Sequence, residues 1–197
     1  MAAAQPAVSL IVGLGNPGPE YAQTRHNAGF WFVETVAVRC GVQLRRESKF
    51  HGRAGRTRLD GEDVWLLMPD TFMNRSGQAV AALAQFFKFP VESILVAHDE
   101  LDLPPGVARL KRGGGHGGHN GLRSTAAALG SPGFARLRIG IGHPGHRDLV
   151  TPYVLGRPSA DDRRCIEDAI DAAVDVLPQL VGGEFERAMN TLHSARD

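Results

Sequence analysis

Little in this chain is extreme, and each scarcity excludes something. Only two residues are cysteine (Cys40 and Cys165), two are tryptophan and two tyrosine. The two thiols each sit in a helical pattern with apolar neighbours, at a spacing that makes neither a metal knuckle nor a redox pair. They are expected to be buried thiols of a reducing cytoplasm. No stretch approaches the ~18 consecutive apolar residues that a spanning helix needs. The leading MAAAQPA lacks the basic start and apolar core of a secretory signal, so residues 1–7 are expected to form a flexible tail. A formal net charge of +1 removes any bulk attraction to nucleic acid; such a partner would need a local basic patch. Linkers, repeats and low-complexity tracts are missing too. With 43% apolar residues among 197, one globular domain over residues 8–197 is the economical expectation.

What is present gathers around LIVGLGNPGPEYAQTRHNAGF, Leu10 to Phe30. A continuously apolar strand, Val8 to Leu14, stops at Gly15, Pro17, Gly18 and Pro19. The chain then delivers Tyr21, Arg25, His26 and Asn27 just before a helical pattern begins. A titratable ring waiting at a helix start beyond a strand end suits acid–base chemistry. The helix dipole lowers an imidazole pKa there and keeps the ring neutral and able to accept a proton.

Further along, the spacing of Phe30, Val33, Ala37 and Cys40 predicts a helix from Ala28 to Cys40, with Gly41 ending it. Strands over Phe50–Arg58 and Val64–Met68 flank Asp60-Gly61, a hairpin signal. A loop, TFMN, precedes a helix bearing Val80, Leu83, Ala84 and Phe87. A buried strand, Ile94 to Ala97, runs into His98-Asp99-Glu100. A short strand, Val107 to Lys111, is followed by GGGHGGHNG (Gly113 to Gly121), whose six glycines in nine residues resist regular structure. Then come a helix Leu122–Leu129, a strand Arg136–Ile141, a long amphipathic helix headed by Ser159, and a last helix Glu184–Leu192. Strands alternating with helices predict an α/β fold: a single-domain three-layer α/β/α sandwich around a mixed, mostly parallel twisted sheet.

Several motifs compete for the chemistry. Gly13-x-Gly15-x-x-Gly18 matches the dinucleotide fingerprint, yet the helix starts only near Ala28 and no strand ends in an acid ~20 residues on. Asp99, His116 and His119 allow a metal-dependent hydrolase, although a pliant glycine loop is a poor frame for metal ligands. That loop reads better as a mobile gate, with Asn120 offering an amide that donates and accepts. Asn16 and His26, Asn74, and Asp99 all lie at strand or loop ends, which gather on one edge of an open α/β sheet. If Asp99 meets His26, the pair is a base held by a carboxylate. Asp99 would then raise the His26 pKa against the helix dipole, and the residues alone leave that balance open. No G-x-S-x-G nucleophile setting accompanies them, so water is the expected nucleophile. Arg109, Lys111 and Arg112, with Arg123, Arg136 and Arg138 beyond the loop, form a basic cluster suited to phosphates. An RNA-binding module without activity is a further reading of that cluster.

Taken together, GLGNPGPEYAQTRHNAGF, TFMNRSG, AHDELDLPPG, KRGGGHGGHNGLRS and RLRIGIGHPG resemble bacterial peptidyl-tRNA hydrolase, in order and over almost the whole chain. The resemblance implies a monomeric, metal- and cofactor-free cytoplasmic esterase that cuts the bond between a peptide and the 3′-terminal ribose of tRNA. It implies His26 as catalytic base, Asp99 orienting it, and Asn74 holding the water or oxyanion. Asn16 and Asn120 would grip the substrate main chain, Tyr21, Phe72 and Met73 would line the site, and His119 would belong to the gate. Lys111 and Arg138, beside Arg109, would meet the 5′ phosphate and acceptor stem.

Overall fold

A four-residue strand with every side chain buried, β1 (Leu10–Gly13), lies at the middle of the sheet. The computed structural model describes residues 5–195. Residues 1–4 of the expected tail lie outside them; the chain from Gln5 to Ser9 has no regular structure, and Val8 N–H donates to the Leu180 carbonyl at 3.0 Å.

The remaining strands are β2 (Arg45–Glu47), β3 (Gly52–Leu59), β4 (Glu62–Pro69), β5 (Ile94–Glu100), β6 (Ala108–Arg112) and β7 (Ala135–Gly140). Their order is β2-β3-β4-β1-β5-β7-β6. The four central strands, β4, β1, β5 and β7, are mutually parallel, while β2, β3 and β6 attach antiparallel at the flanks. The β3–β4 hairpin turns at Asp60 and Gly61, both at positive φ (49° and 83°) as a tight two-residue turn requires.

The helices are α1 (Ala28–Arg39), α2 (Ser76–Phe87), α3 (Asn120–Leu129), α4 (Val150–Val154), α5 (Ala160–Asp175), α6 (Leu177–Val181) and α7 (Phe185–Ser194). One apolar layer joins α1, α5, α6 and α7 to one face of the sheet through Ile11, Leu95, Phe32, Ile170 and Leu177. The other joins α2 and α3 through Val12, Val96, Leu83, Leu122 and Phe134. Ser159 caps α5 as expected, its Oγ accepting from Asp162 N–H at 3.1 Å. The two thiols are free, and both are half-buried rather than buried, because Cys40 lies just past the end of α1 and Cys165 on the rim of α5. On the sheet's other rim, α7 reaches back to β6, where the Leu110 N–H donates to His193 Nε2 at 3.0 Å.

Glycine sets how closely α1 sits on the sheet. A Cβ on Gly29 would lie 2.4 Å from the Ala97 carbonyl oxygen, and one on Gly13 would lie 2.2 Å from the Gly29 carbonyl oxygen. A Cβ on Gly15 would strike the Phe30 ring. Two glycines of the fingerprint-like motif are therefore explained by helix–sheet contact. Gly18, at φ 107°, serves the turn that follows.

Candidate active site

The chain crosses from one side of β1 to the other between β4 and β5, so the C-terminal ends of β1, β4 and β5 converge. Each end delivers polar groups. Beyond β1 come Asn16 and then a 3-10 turn, Arg25–Asn27; beyond β4 another such turn, Met73–Arg75, leads into α2. β5 runs out to His98 and Asp99, both buried.

Asp99 lies between two imidazoles. Its Oδ2 accepts from His26 Nδ1 and its Oδ1 from His119 Nε2, each at 2.8 Å. The tautomers follow from the partners. His119 is the N-cap of α3, and its Nδ1 accepts the backbone N–H groups of Gly121 (3.1 Å) and Leu122 (3.3 Å). A nitrogen that accepts carries no proton, so the proton of His119 is on Nε2 and goes to Asp99. His26, by contrast, uses only Nδ1, and its Nε2 is open toward the cleft. Burial alone would raise the Asp99 carboxyl, but the facing His26 and His119 outweigh it and hold it well below the usual carboxylate range. For His26 burial pulls downward, and the charge and hydrogen bond of Asp99 overcome it, so the pKa ends above 6.5. Asp99 thus outweighs the burial of the ring.

Asn16 is equally constrained. Its Oδ1 accepts the Met73 N–H at 2.7 Å, which joins the ends of β1 and β4 and leaves its Nδ2 as the free donor. A cavity of about 750 Å³ opens over these groups. Of the expected site residues, His26, Asp99, Asn74, Asn16, Phe72, Met73, Asn120, His119, Lys111 and Arg138 all line it. Two do not. Tyr21 stands edge-on to Phe72, ring centroids 6.1 Å apart, outside the lining. Arg109 alternates onto the face of Arg138 but lies beside His193, where the sheet meets α7.

The structure gives structural roles to residues that the sequence named without one. Asn27 clasps the backbone of Asn16 from both sides, and Arg25 donates to the Tyr153 carbonyl at 2.9 Å while lying over that ring. Through this contact α4 is held as the far wall of the cleft, presenting Val150, Val154 and Leu155. Their i, i+4, i+5 spacing was the available signal. Arg136 departs from the basic cluster altogether. It is 3% exposed, and its guanidinium binds the carbonyls of Gly114, Gly115 and Pro132. It tethers the glycine loop and is not presented to solvent. Arg138 is paired with Glu100 (2.8 Å), whereas Lys111 is exposed and lies across Gly114.

The metal reading fails on geometry. His116 is exposed, accepts from Gly118 N–H within its own loop and does not join the ligand-type atoms around Asp99. The group that does assemble is His26, Asp99 and His119, with ligand-type atoms within 4.8 Å of one another. Both carboxylate oxygens and both His119 nitrogens are already committed to hydrogen bonds, so a single open nitrogen remains for a cation that needs several ligands.

Residues 10–197 match the family model described as peptidyl-tRNA hydrolase. The chain belongs to the peptidyl-tRNA hydrolase family. It is 60% identical over 185 residues to the peptidyl-tRNA hydrolase of Halorhodospira halophila, covering 94% of this chain and 95% of that one. It is 59% identical over 191 residues to that of Azotobacter vinelandii, with 96% and 98% covered. The crystal structure of peptidyl-tRNA hydrolase from Acinetobacter baumannii superposes with a TM-score of 0.93 at 54% identity, covering 95% of each chain. Five sequence blocks and one fold therefore agree for this family member. Among the described residues no helix is long and apolar enough to cross a membrane.

Proposed function

We infer that this member of the peptidyl-tRNA hydrolase family hydrolyses the ester between a peptide, or an N-blocked aminoacyl group, and the 3′-terminal ribose of tRNA. The observation that carries the mechanism is the asymmetry of His26: Nδ1–H is fixed on Asp99, and the Nε2 lone pair is free in the cleft. His26 Nε2 takes a proton from water as the oxygen attacks the acyl carbon, and Asp99 steadies the imidazolium. The exposed amide of Asn74 donates to the developing oxyanion. On collapse His26 returns the proton to the ribose 3′ oxygen, which leaves as the free hydroxyl.

Asn16 Nδ2 and Asn120 hold the peptide main chain near the scissile bond, and the apolar wall of Phe72, Met73 and α4 takes side chains without reading their identity. Lys111 and Arg138 meet phosphates of the acceptor stem, a local basic patch on a chain whose net charge is +1. The cytoplasm, where peptidyl-tRNA is formed, is the compartment this reading requires, and a monomer would suffice for it, since the lining residues come from one chain.

An N-blocked aminoacyl-tRNA incubated with the protein and a chelator tests the reading. Ester cleavage is expected to persist. His26→Ala should lose roughly two to four orders of magnitude in kcat while still binding tRNA. A His26→Ala protein at full rate would refute the assignment.

A further inference from the structure

Asp99 accepts a third imidazole proton, and the reaction outlined above makes no use of it. His98 Nδ1 donates to the backbone carbonyl of Asp99 at 2.8 Å. The reason lies in strand lengths. On the β1 side of β5, the Ala97 carbonyl accepts the Leu14 N–H at 3.0 Å, the last bond between these strands. The Asp99 carbonyl, two residues on, faces the same side, but β1 has already turned away. The Asn16 N–H that comes nearest in sequence is bound to Asn27 Oδ1. The carbonyl of the next residue, Glu100, points the other way and accepts from Ile141 N–H at 3.0 Å. A buried strand carbonyl without a donor is costly, and the ring of the preceding residue supplies the donor. That ring is 2% exposed and packs edge-on against His119, centroids 5.1 Å apart.

We propose that His98 is a positioning residue for the hydrolysis: by satisfying the Asp99 carbonyl it lets β5 outrun β1 and fixes the carboxylate between His26 and His119. The inference rests on the His26–Asp99 reading above. Only one form of His98 can do this. With Nδ1 donating, the buried Nε2 has no partner among the described residues, so it carries the lone pair and the ring is neutral. The groups facing the ring, His119, Asp99 and the Glu100–Arg138 pair, leave a proton on Nε2 with no acceptor.

Nitrogen-resolved NMR of the histidines in the intact protein tests this without any substitution. His98 should show a protonated Nδ1 and a bare Nε2 throughout about pH 5 to 8; a proton on Nε2 overturns the proposal. Two variants read the consequence. Asparagine can place its Nδ2 where Nδ1 stands, so His98→Asn should keep kcat within about threefold and leave the His26 titration in place. His98→Leu keeps bulk without the donor. It should lose kcat on the order of tenfold or more at little change in KM, with His26 titrating at lower pH. A His98→Leu protein with unchanged kcat and His26 titration refutes the proposal, as does an Asn variant as impaired as Leu. If Leu does not fold, the Asn variant and the wild-type tautomer still decide. Asp99→Asn serves as the control: if it too leaves rate and titration unchanged, the underlying base assignment has failed, not the role of His98.

Discussion

Asn27 holds the backbone of Asn16 by two hydrogen bonds, accepting the Asn16 N–H on Oδ1 at 2.9 Å and donating Nδ2 to the Asn16 carbonyl at 3.0 Å. The residue that follows His26 thus locks the loop that carries Asn16. Asn27→Leu removes both bonds at a 2% exposed position. Stability to denaturant is expected to fall by about 1–3 kcal/mol. On the proposed reading KM should rise more than kcat falls, because the Asn16 Nδ2 that would hold the peptide main chain is no longer fixed.

The pH dependence follows from the shifts in opposite directions. As the proposed base His26 would have to be neutral, and Asp99 raises its pKa above 6.5. The kcat/KM profile should therefore climb through an apparent pKa above 6.5 and then level. Asp99→Asn offers one acceptor to two imidazole N–H groups. The cap of α3 fixes the tautomer of His119, so the amide oxygen goes to His119 and the amide nitrogen meets His26. His26 then moves its proton to Nε2, the wrong nitrogen for a base, and the plateau should drop by orders of magnitude. Stability carries the same signature. The raised His26 pKa stabilises the fold fully below 6.5, and that contribution is lost as pH rises through the folded value. The depressed Asp99 stabilises above 3.8, and that part is lost as pH falls below it.

Arg136→Lys tests the tether on the glycine loop. A single ammonium replaces a planar fork that reaches three carbonyls. Amide exchange should rise selectively over residues 113–121, and KM should increase while His26 titrates as before. Unchanged exchange in that segment would remove Arg136 from loop control.

Salt dependence separates the basic residues. Lys111→Ala should weaken tRNA binding and reduce the slope of log affinity against log salt by about one. Arg109→Ala, outside the cleft, should leave the slope nearly unaltered. Equal effects from the two would mean that tRNA crosses the rim near α7 as well.

Much of this was legible in the chain and some was not. The continuous apolar runs of β1 and β5, the Asp60-Gly61 turn and the Ser159 cap are local signals, and each marked its element. Strand β2 was illegible because Arg45, Arg46 and Glu47 show no apolar alternation; it forms only by pairing with β3. The convergence of Asn16, His26, Asn74 and Asp99 could be argued from strand ends. Orientation could not, since the free nitrogen of His26 depends on which atoms Asp99 and the α3 backbone occupy. Arg136 and Arg109 show the same limit from the other side. Sequence counts an arginine as a charge, and only packing tells whether it faces a phosphate, a carbonyl or a neighbouring helix.

The bond from the Leu110 N–H to His193 bears on solubility. A flanking strand with free amides is a template on which another molecule can add a strand of its own. Here one such amide is occupied by the last helix, and at the opposite flank β2 is only three residues long with two arginines. Burial and the nearby Arg109 and Arg138 lower the His193 pKa, which keeps its ring able to accept. Acidification that protonates this ring would uncover the amide, and self-association through β6 would be the first fault to follow.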